Sequence, residues 1–423
     1  MSALDYHLQH VLKKLISHGG EEVRLQLKNV ARCGQSIIHA GIGTTDAVYV
    51  LKSSSGEAKL FGHAHCRNPH CCPVCSATIM EEYRAKIASA IDMLSHEGKF
   101  GFMATFTIPH LKFMTCRETT DILYETWKYF RTRVKSTHKN STWVHPFDEF
   151  CAATDMDTWV RVCEYTFGEK NGWHPHFHCV FWVPNDKADI VLDYEQKLCE
   201  FWIQQARRVT LKLWKQKHLH EGEDLDKLLA DVFKRADWWG QALKFSRDTD
   251  GKLMRATSSD YIAGWAADRE TTGNRRKQAS HEGHFTPYQI LELAEHDNHW
   301  ANRYLEFCMA VTRKPVHHRM NFSKNGICKR ITEWQAEHGY SSAIAQKKST
   351  WAVVGYFDKQ SWWKICLANR RAPVIANIIH LVSMGNSDLV AEYTHSIDVE
   401  FRRRGTHKCF DDIAEVVELI FNG

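Results

Sequence analysis

The sequence lacks the features that mark membrane-spanning, secreted and fibrous proteins. No apolar run approaches the roughly 18 residues that a transmembrane helix requires, and the most apolar window, residues 372–382, contains proline, asparagine and histidine. The chain start shows no basic segment followed by an apolar run and a small-residue cleavage site, so we expect no secretory signal peptide. Internal repeats and low-complexity tracts are also absent. We therefore expect a cytoplasmic globular protein without membrane contact.

A large net charge of one sign is missing as well. The chain has 55 Lys and Arg against 50 Asp and Glu, and its formal charge of +5 is too mild to identify a nucleic-acid binder. By contrast, histidine, tryptophan and cysteine are abundant, with 26, 15 and 14 copies in 423 residues. Cysteines outside a secretory context are expected to be reduced, and clustered thiols there more often bind metal than form disulfides.

The apolar periodicity predicts a mixed α+β fold. A period of two predicts a strand over residues 102–108 and a hairpin with arms at 159–167 and 173–183. A period near 3.6 predicts helices over residues 5–16, 78–96, 119–136, 194–214 and 225–239, and a serine cap at 258 or 259 predicts another through 269. We expect a central, mostly antiparallel sheet flanked by helices.

The hairpin combines histidines with a facing carboxylate. Residues two apart on a strand face the same way, so His176 and His178 project together. With Lys170 at the loop centre, Glu164 lies opposite His176. A carboxylate with two imidazoles suits Mn²⁺ or Mg²⁺ acting as a Lewis acid, whereas a one-residue slip would turn Glu164 away. His174 shares the parity, but Pro175 disturbs the strand there, so His174 is either a ligand or a supporting residue.

A second cluster holds four cysteines between residues 66 and 75. Cys72 and Cys75 have the C-x-x-C spacing of a zinc site, and Cys66 can reach the same ion. Cys71 and the histidines at 63, 65 and 70 are alternatives for one ligand position. We predict a structural Zn²⁺ site that stabilises a ribbon too small to form its own core.

These patterns resemble the HUH endonucleases. The run Gly172-Trp-His-Pro-His-Phe-His178 is similar to the metal motif of plasmid rolling-circle replication initiators of the single-tyrosine type. Phe102–Pro109 resembles their first strand motif, and the segments around 66–73, 286–291 and 300–329 resemble other family segments in the same order. The resemblance implies an N-terminal zinc ribbon with a connecting helix over residues 1–97, an HUH endonuclease domain over 98–285, and a mainly helical region over 286–423 for DNA binding or oligomerisation.

The resemblance also implies an activity. Such initiators nick and rejoin single-stranded or hairpin origin DNA through a covalent 5′-phosphotyrosine, and they work with a host helicase and polymerase. It assigns the nucleophile to Tyr261, with Gly264 at the position of the family lysine and Trp265 at that of a second tyrosine. Arg269, Arg275, Arg276 or Lys277 would then contact the scissile phosphate. The Cys33-Gly34 pair resembles an earlier family motif, which makes Cys33 the fourth zinc ligand beside Cys66, Cys72 and Cys75.

Basic residues predict where DNA would bind. Arg131 and Arg133 lie on the helix after the first strand, and Arg313, Lys314 and Arg319 alternate with aromatic residues further along. Mixed cations and aromatic rings suit single strands, because phosphates meet cations and bases stack on rings. Two alternatives stay open: an HUH transposase or mobilisation relaxase with the same chemistry, and a non-catalytic zinc-ribbon DNA-binding protein in which the histidine hairpin is structural.

Overall fold

The computed structural model describes most of the chain, and its elements alternate between helix and strand. The described residues are 3–37, 47–54, 56, 58–132, 145–217, 242–256, 283–312, 319–323, 326–338, 352–367 and 371–403. The helices are α1 (Ala3–His18), α2 (Glu21–Gln26), α3 (Lys28–Ala31), α4 (Pro73–His96), α5 (Cys116–Arg131), α6 (Pro146–Thr154), α7 (Glu195–Lys217), α8 (Pro287–Leu293), α9 (Asn298–Thr312), α10 (Ile327–Glu337), α11 (Lys359–Leu367), α12 (Arg371–Ser383) and α13 (Ser387–His395), with a 3-10 segment over Asn185–Tyr194. The strands are β1 (Ala47–Lys52), β2 (Ala58–Phe61), β3 (Lys99–Phe106), β4 (Thr158–Gly168), β5 (Gly172–Pro184), β6 (Leu243–Phe245), β7 (His284–Phe285), β8 (Met320–Phe322), β9 (Ala352–Asp358) and β10 (Arg402–Arg403).

The antiparallel pairing confirms the predicted mixed α+β class. The helices predicted over 225–239 and 258–269 lie outside the described residues. The described residues form two compact units, one from residues within 3–82 and 352–403, the other from residues within 83–256 and 283–338. This division differs from the three consecutive segments expected from the sequence, because the C-terminal residues join the N-terminal ones.

The first unit contains a four-stranded antiparallel sheet of order β10-β9-β1-β2. In its centre Tyr49 on β1 pairs with Phe61 on β2 and with Tyr356 on β9. Tyr49 and Tyr356 are both buried and lie in one apolar cluster with Ala47 and Leu51. The region after residue 339 therefore supplies strands to this sheet as well as helices, and α12 packs against α1.

The second unit contains a six-stranded antiparallel sheet of order β6-β3-β5-β4-β7, with β8 also paired to β4. Its core strands β4 and β5 form the predicted hairpin, because a short turn closed by Gly172 at φ 81° brings the two period-two segments into register. Residues other than glycine are disfavoured at position 172, since a Cβ there would approach the Lys112 backbone to 3.1 Å.

The two faces of this sheet are covered differently. One face carries Phe106, Phe177 and Phe181, and aromatic side chains of α5 and α7, including Trp127 and Trp202, pack on it. On the other face, the described residues cover one part of the sheet. There Val160, Val162, Val180 and Trp182 form an apolar cluster with the second half of α4 and with α10. Beyond the end of this cluster, the same face becomes polar.

Candidate metal centres

The polar part of the second face holds Glu164, His176 and His178. Glu164 pairs directly with His176, and Val162 with His178, which is the register that the sequence predicts. The Glu164 Oε2 atom lies 3.2 Å from His176 Nε2 and 3.0 Å from His178 Nε2. Neighbouring ligands at about 2.1 Å from one octahedral ion are separated by about 3.0 Å. The three ligand atoms therefore have the spacing and chemistry of a site for one divalent cation.

The surroundings keep the carboxylate charged although it is nearly inaccessible. Glu164 has 5% of its surface exposed. Burial opposes its ionisation, but hydrogen bonds and charge from His176 and His178 outweigh burial and hold the pKa of the carboxyl well below its usual value. A buried carboxylate beside two imidazoles is a strong cation ligand, because little solvent competes for it.

Both ligand imidazoles are oriented through their second nitrogen. His176 Nδ1 donates to the backbone carbonyl of His174 at 3.2 Å. His178 Nδ1 lies 3.2 Å from Thr105 Oγ1, across the β3–β5 pair. With Nδ1 carrying the proton in each ring, Nε2 would be free to coordinate a cation in place of its contact with Glu164. Sequence reasoning did not single out Thr105, although its place on the polar side of a period-two strand was the available signal.

His174 packs against the group. Its ring stacks on His176 at 5.0 Å and on His110 at 4.7 Å between centroids. Burial, together with the neighbouring His176 and His110, lowers the pKa of His174 well below its usual value, so its ring is neutral. His174 is not among the three residues whose ligand atoms converge, and its role stays a prediction.

The first unit brings together the predicted Cys33, Cys66, Cys72 and Cys75. The sulfur of Cys33 lies 3.5 Å from that of Cys75 and 3.6 Å from that of Cys72, and Cys66 lies 3.6 Å from Cys75. Four thiolates at about 2.3 Å from a tetrahedral ion are about 3.8 Å apart, whereas a disulfide would require about 2.05 Å. The spacing therefore suits a four-thiolate metal site. Cys71 is buried but lies outside this group.

Local structure explains how distant cysteines meet. Cys33 follows α3, Cys72 immediately precedes α4, and Cys75 lies in the first turn of α4. Hydrogen bonds from the other thiols, Cys66 foremost, hold the pKa of Cys33 far below its usual value. This direction favours the thiolate at Cys33, which is the form that binds metal.

The structure describes some of the residues predicted to act on DNA or bind it, and not others. Tyr261, Arg133, Arg275, Arg276, Lys277, Arg313 and Lys314 lie outside the described residues. Arg131 is half-buried, and its guanidinium lies 5.2 Å from the Trp127 ring and 4.8 Å from the Trp159 ring. Arg319 is buried, with 7% exposed. Arg131 thus lies over aromatic rings while remaining partly exposed, and the DNA-binding role of both arginines stays a prediction.

Comparison with known proteins gives one distant similarity. Over 155 aligned residues the chain is 27% identical to protein Rep of Streptomyces lividans, and the alignment covers 32% of this chain and 33% of that protein. No protein-family model and no solved structure matches the chain. Among the described residues, no helix combines the length and apolar character needed to cross a membrane.

Proposed function

We propose that the protein initiates rolling-circle DNA replication by nicking and rejoining single-stranded origin DNA. The observation that carries this proposal is the convergence of Glu164, His176 and His178 on one point of an antiparallel sheet. The similarity to a Rep protein, though confined to about a third of each chain, agrees with a role in replication. The hairpin resembles the metal motif of the HUH endonucleases. This resemblance is the basis for expecting cleavage through a tyrosine.

In the proposed reaction, the phenolic oxygen of Tyr261 attacks the scissile phosphorus. The bond between phosphorus and the 3′ oxygen breaks, the 3′ oxygen takes up a proton, and the 5′ phosphate stays joined to Tyr261. A phenol has a pKa near 10 and is a weak nucleophile at neutral pH. A Mn²⁺ or Mg²⁺ ion held by Glu164, His176 and His178 would act as a Lewis acid on the phosphate oxygens.

The phosphotyrosine ester conserves the energy of the broken bond. Attack by a free 3′-OH on this ester rejoins DNA without ATP, and the released 3′-OH can prime synthesis by a polymerase. The thiolate group of the first unit would hold Zn²⁺ as a structural ion, because four protein ligands leave no position open for a substrate. Host helicase and polymerase are the partners that this role requires.

The test selects DNA sequences that become covalently attached to the protein. The origin sequence therefore does not have to be known in advance. The purified protein is incubated with a randomised, end-labelled single-stranded oligonucleotide library and Mn²⁺, then resolved on a denaturing gel. We expect a labelled adduct that Tyr261→Phe and chelator abolish, with retained DNA binding by the Phe variant. A gel shift of native complexes without any adduct would instead indicate a non-catalytic DNA-binding protein. An adduct that persists in Tyr261→Phe would mean that another residue is the nucleophile.

A further inference from the structure

We propose that Lys244 contacts the scissile phosphate beside the metal ligands and neutralises the charge that develops there. This inference rests on the proposed nicking function and names a catalytic residue for it. Its basis is a row of directly paired residues across the sheet, Lys244 on β6, Thr105 on β3 and His178 on β5.

The register settles which way the Lys244 side chain projects. Lys244 pairs with Thr105, and Thr105 pairs with His178. Directly paired residues of antiparallel strands have their side chains on the same face of a sheet. Thr105 Oγ1 contacts His178 Nδ1, so this face is the one that carries the candidate cation site. Lys244 therefore projects from that same face.

Burial of its neighbours holds Lys244 in that orientation. Leu243 and Phe245 are 2% and 1% exposed and anchor β6 to the opposite, aromatic face, whereas Lys244 itself is exposed. Turning Lys244 inward would bring both apolar side chains into water. Because burial of large apolar side chains stabilises the fold, β6 keeps its orientation.

The distances allow Lys244 to reach a phosphate bound next to the imidazoles. Neighbouring strands lie about 4.8 Å apart, so two strand spacings separate Lys244 from His178 by roughly 10 Å at the backbone. An extended lysine spans about 6 Å from Cα to Nζ, given carbon–carbon bonds of about 1.5 Å. When the Lys244 side chain leans across Thr105 toward the imidazoles, the remaining gap of about 4 Å is the width of a phosphate group whose oxygen lies about 2.1 Å from a bound ion.

The chemistry calls for a cation at this position. Attack of a phenolate on a phosphodiester gathers negative charge on the non-bridging oxygens and on the departing 3′ oxygen. A charge that is already in place stabilises this state more than the ground state, since no reorganisation is needed. Thr105 is half-buried and lies between Lys244 and the imidazoles. A polar residue therefore separates the lysine from the metal ligands.

The test compares Lys244→Gln with Lys252→Gln. Lys252 is an exposed lysine in the turn that follows β6, outside the paired row, and is the matched control. In single-turnover adduct formation on an oligonucleotide taken from the selection above, we expect Lys244→Gln to slow the reaction about 100-fold. Lys252→Gln should react at the wild-type rate. Mn²⁺ affinity and unfolding temperature should be unchanged in both variants, and Lys244→Arg should recover part of the rate.

A second substrate separates charge neutralisation from a general effect. A methylphosphonate at the scissile position removes the negative charge of one oxygen. If Lys244 acts on that charge, the ratio of wild-type to Lys244→Gln rates should fall sharply on this substrate. An unchanged ratio, or a wild-type rate in Lys244→Gln, would overturn the assignment of Lys244. Absence of any adduct with the wild-type protein would instead reject the nicking function.

Discussion

Replacing Thr105 by Val removes a hydroxyl that orients a candidate metal ligand while nearly preserving side-chain shape. The Thr105 hydroxyl meets His178 Nδ1 at 3.2 Å, a long neutral hydrogen bond. Such a bond contributes about 0.5–1.5 kcal/mol, and loss of a group that supports a metal ligand commonly weakens metal binding 10- to 100-fold. Because Thr105 is half-buried and water can replace its hydroxyl, we expect the lower limit of the 10- to 100-fold range, which is a roughly tenfold weaker Mn²⁺ affinity or about 1.4 kcal/mol.

Calorimetric titration of Mn²⁺ into the two proteins measures this difference. Thr105→Ser keeps a hydroxyl at the same place and should bind Mn²⁺ like the wild type. Thr332→Val is the control for a threonine-to-valine change, because the Thr332 hydroxyl is exposed and donates to the Cys328 carbonyl on α10. Equal affinity for Thr105→Val and the wild type would refute the view that this hydroxyl fixes the imidazole.

Two further predictions concern zinc and packing. Cys72→Ser should release the zinc, measured with a chromogenic chelator, and lower the unfolding temperature, whereas Cys71→Ser should retain the metal; equal zinc content in both variants would contradict the assigned ligand set. Phe177→Ala should lower the free energy of unfolding by about 3–5 kcal/mol in denaturant titrations, because Phe177 is fully buried against Tyr124, Trp127 and Arg161. A loss under 1 kcal/mol would mean that this packing is absent in solution.

The sequence predicted the hairpin because the residues that determine its pairing lie close together along the chain. The period of two fixes which residues share a face, and the short loop fixes the register, so Glu164 and His176 could be paired by arithmetic alone. The C-x-x-C spacing likewise pointed to Cys72 and Cys75. Cys33 had to come from the family resemblance, since no local pattern joins it to residues more than thirty positions away.

Short sequence patterns could not predict contacts between segments that lie far apart along the chain. The pairing of β1 with β9 places residues 352–358 in the N-terminal unit, and nothing in either segment's pattern encodes its partner. The Thr105–His178 contact depends on the β3–β5 register, which no short loop determines. Arg131 and Arg319 show the same limit, because a count of basic residues does not reveal that the Arg131 guanidinium lies over tryptophan rings or that Arg319 is buried.

The most direct test of the metal centre is pulsed electron paramagnetic resonance of the protein loaded with one equivalent of Mn²⁺. Coordination by His176 and His178 predicts modulation from two imidazole nitrogens, falling to one in His178→Ala, with Glu164→Gln weakening the affinity. A spectrum without nitrogen coupling, or one that His178→Ala leaves unchanged, would contradict the assignment of this cation site.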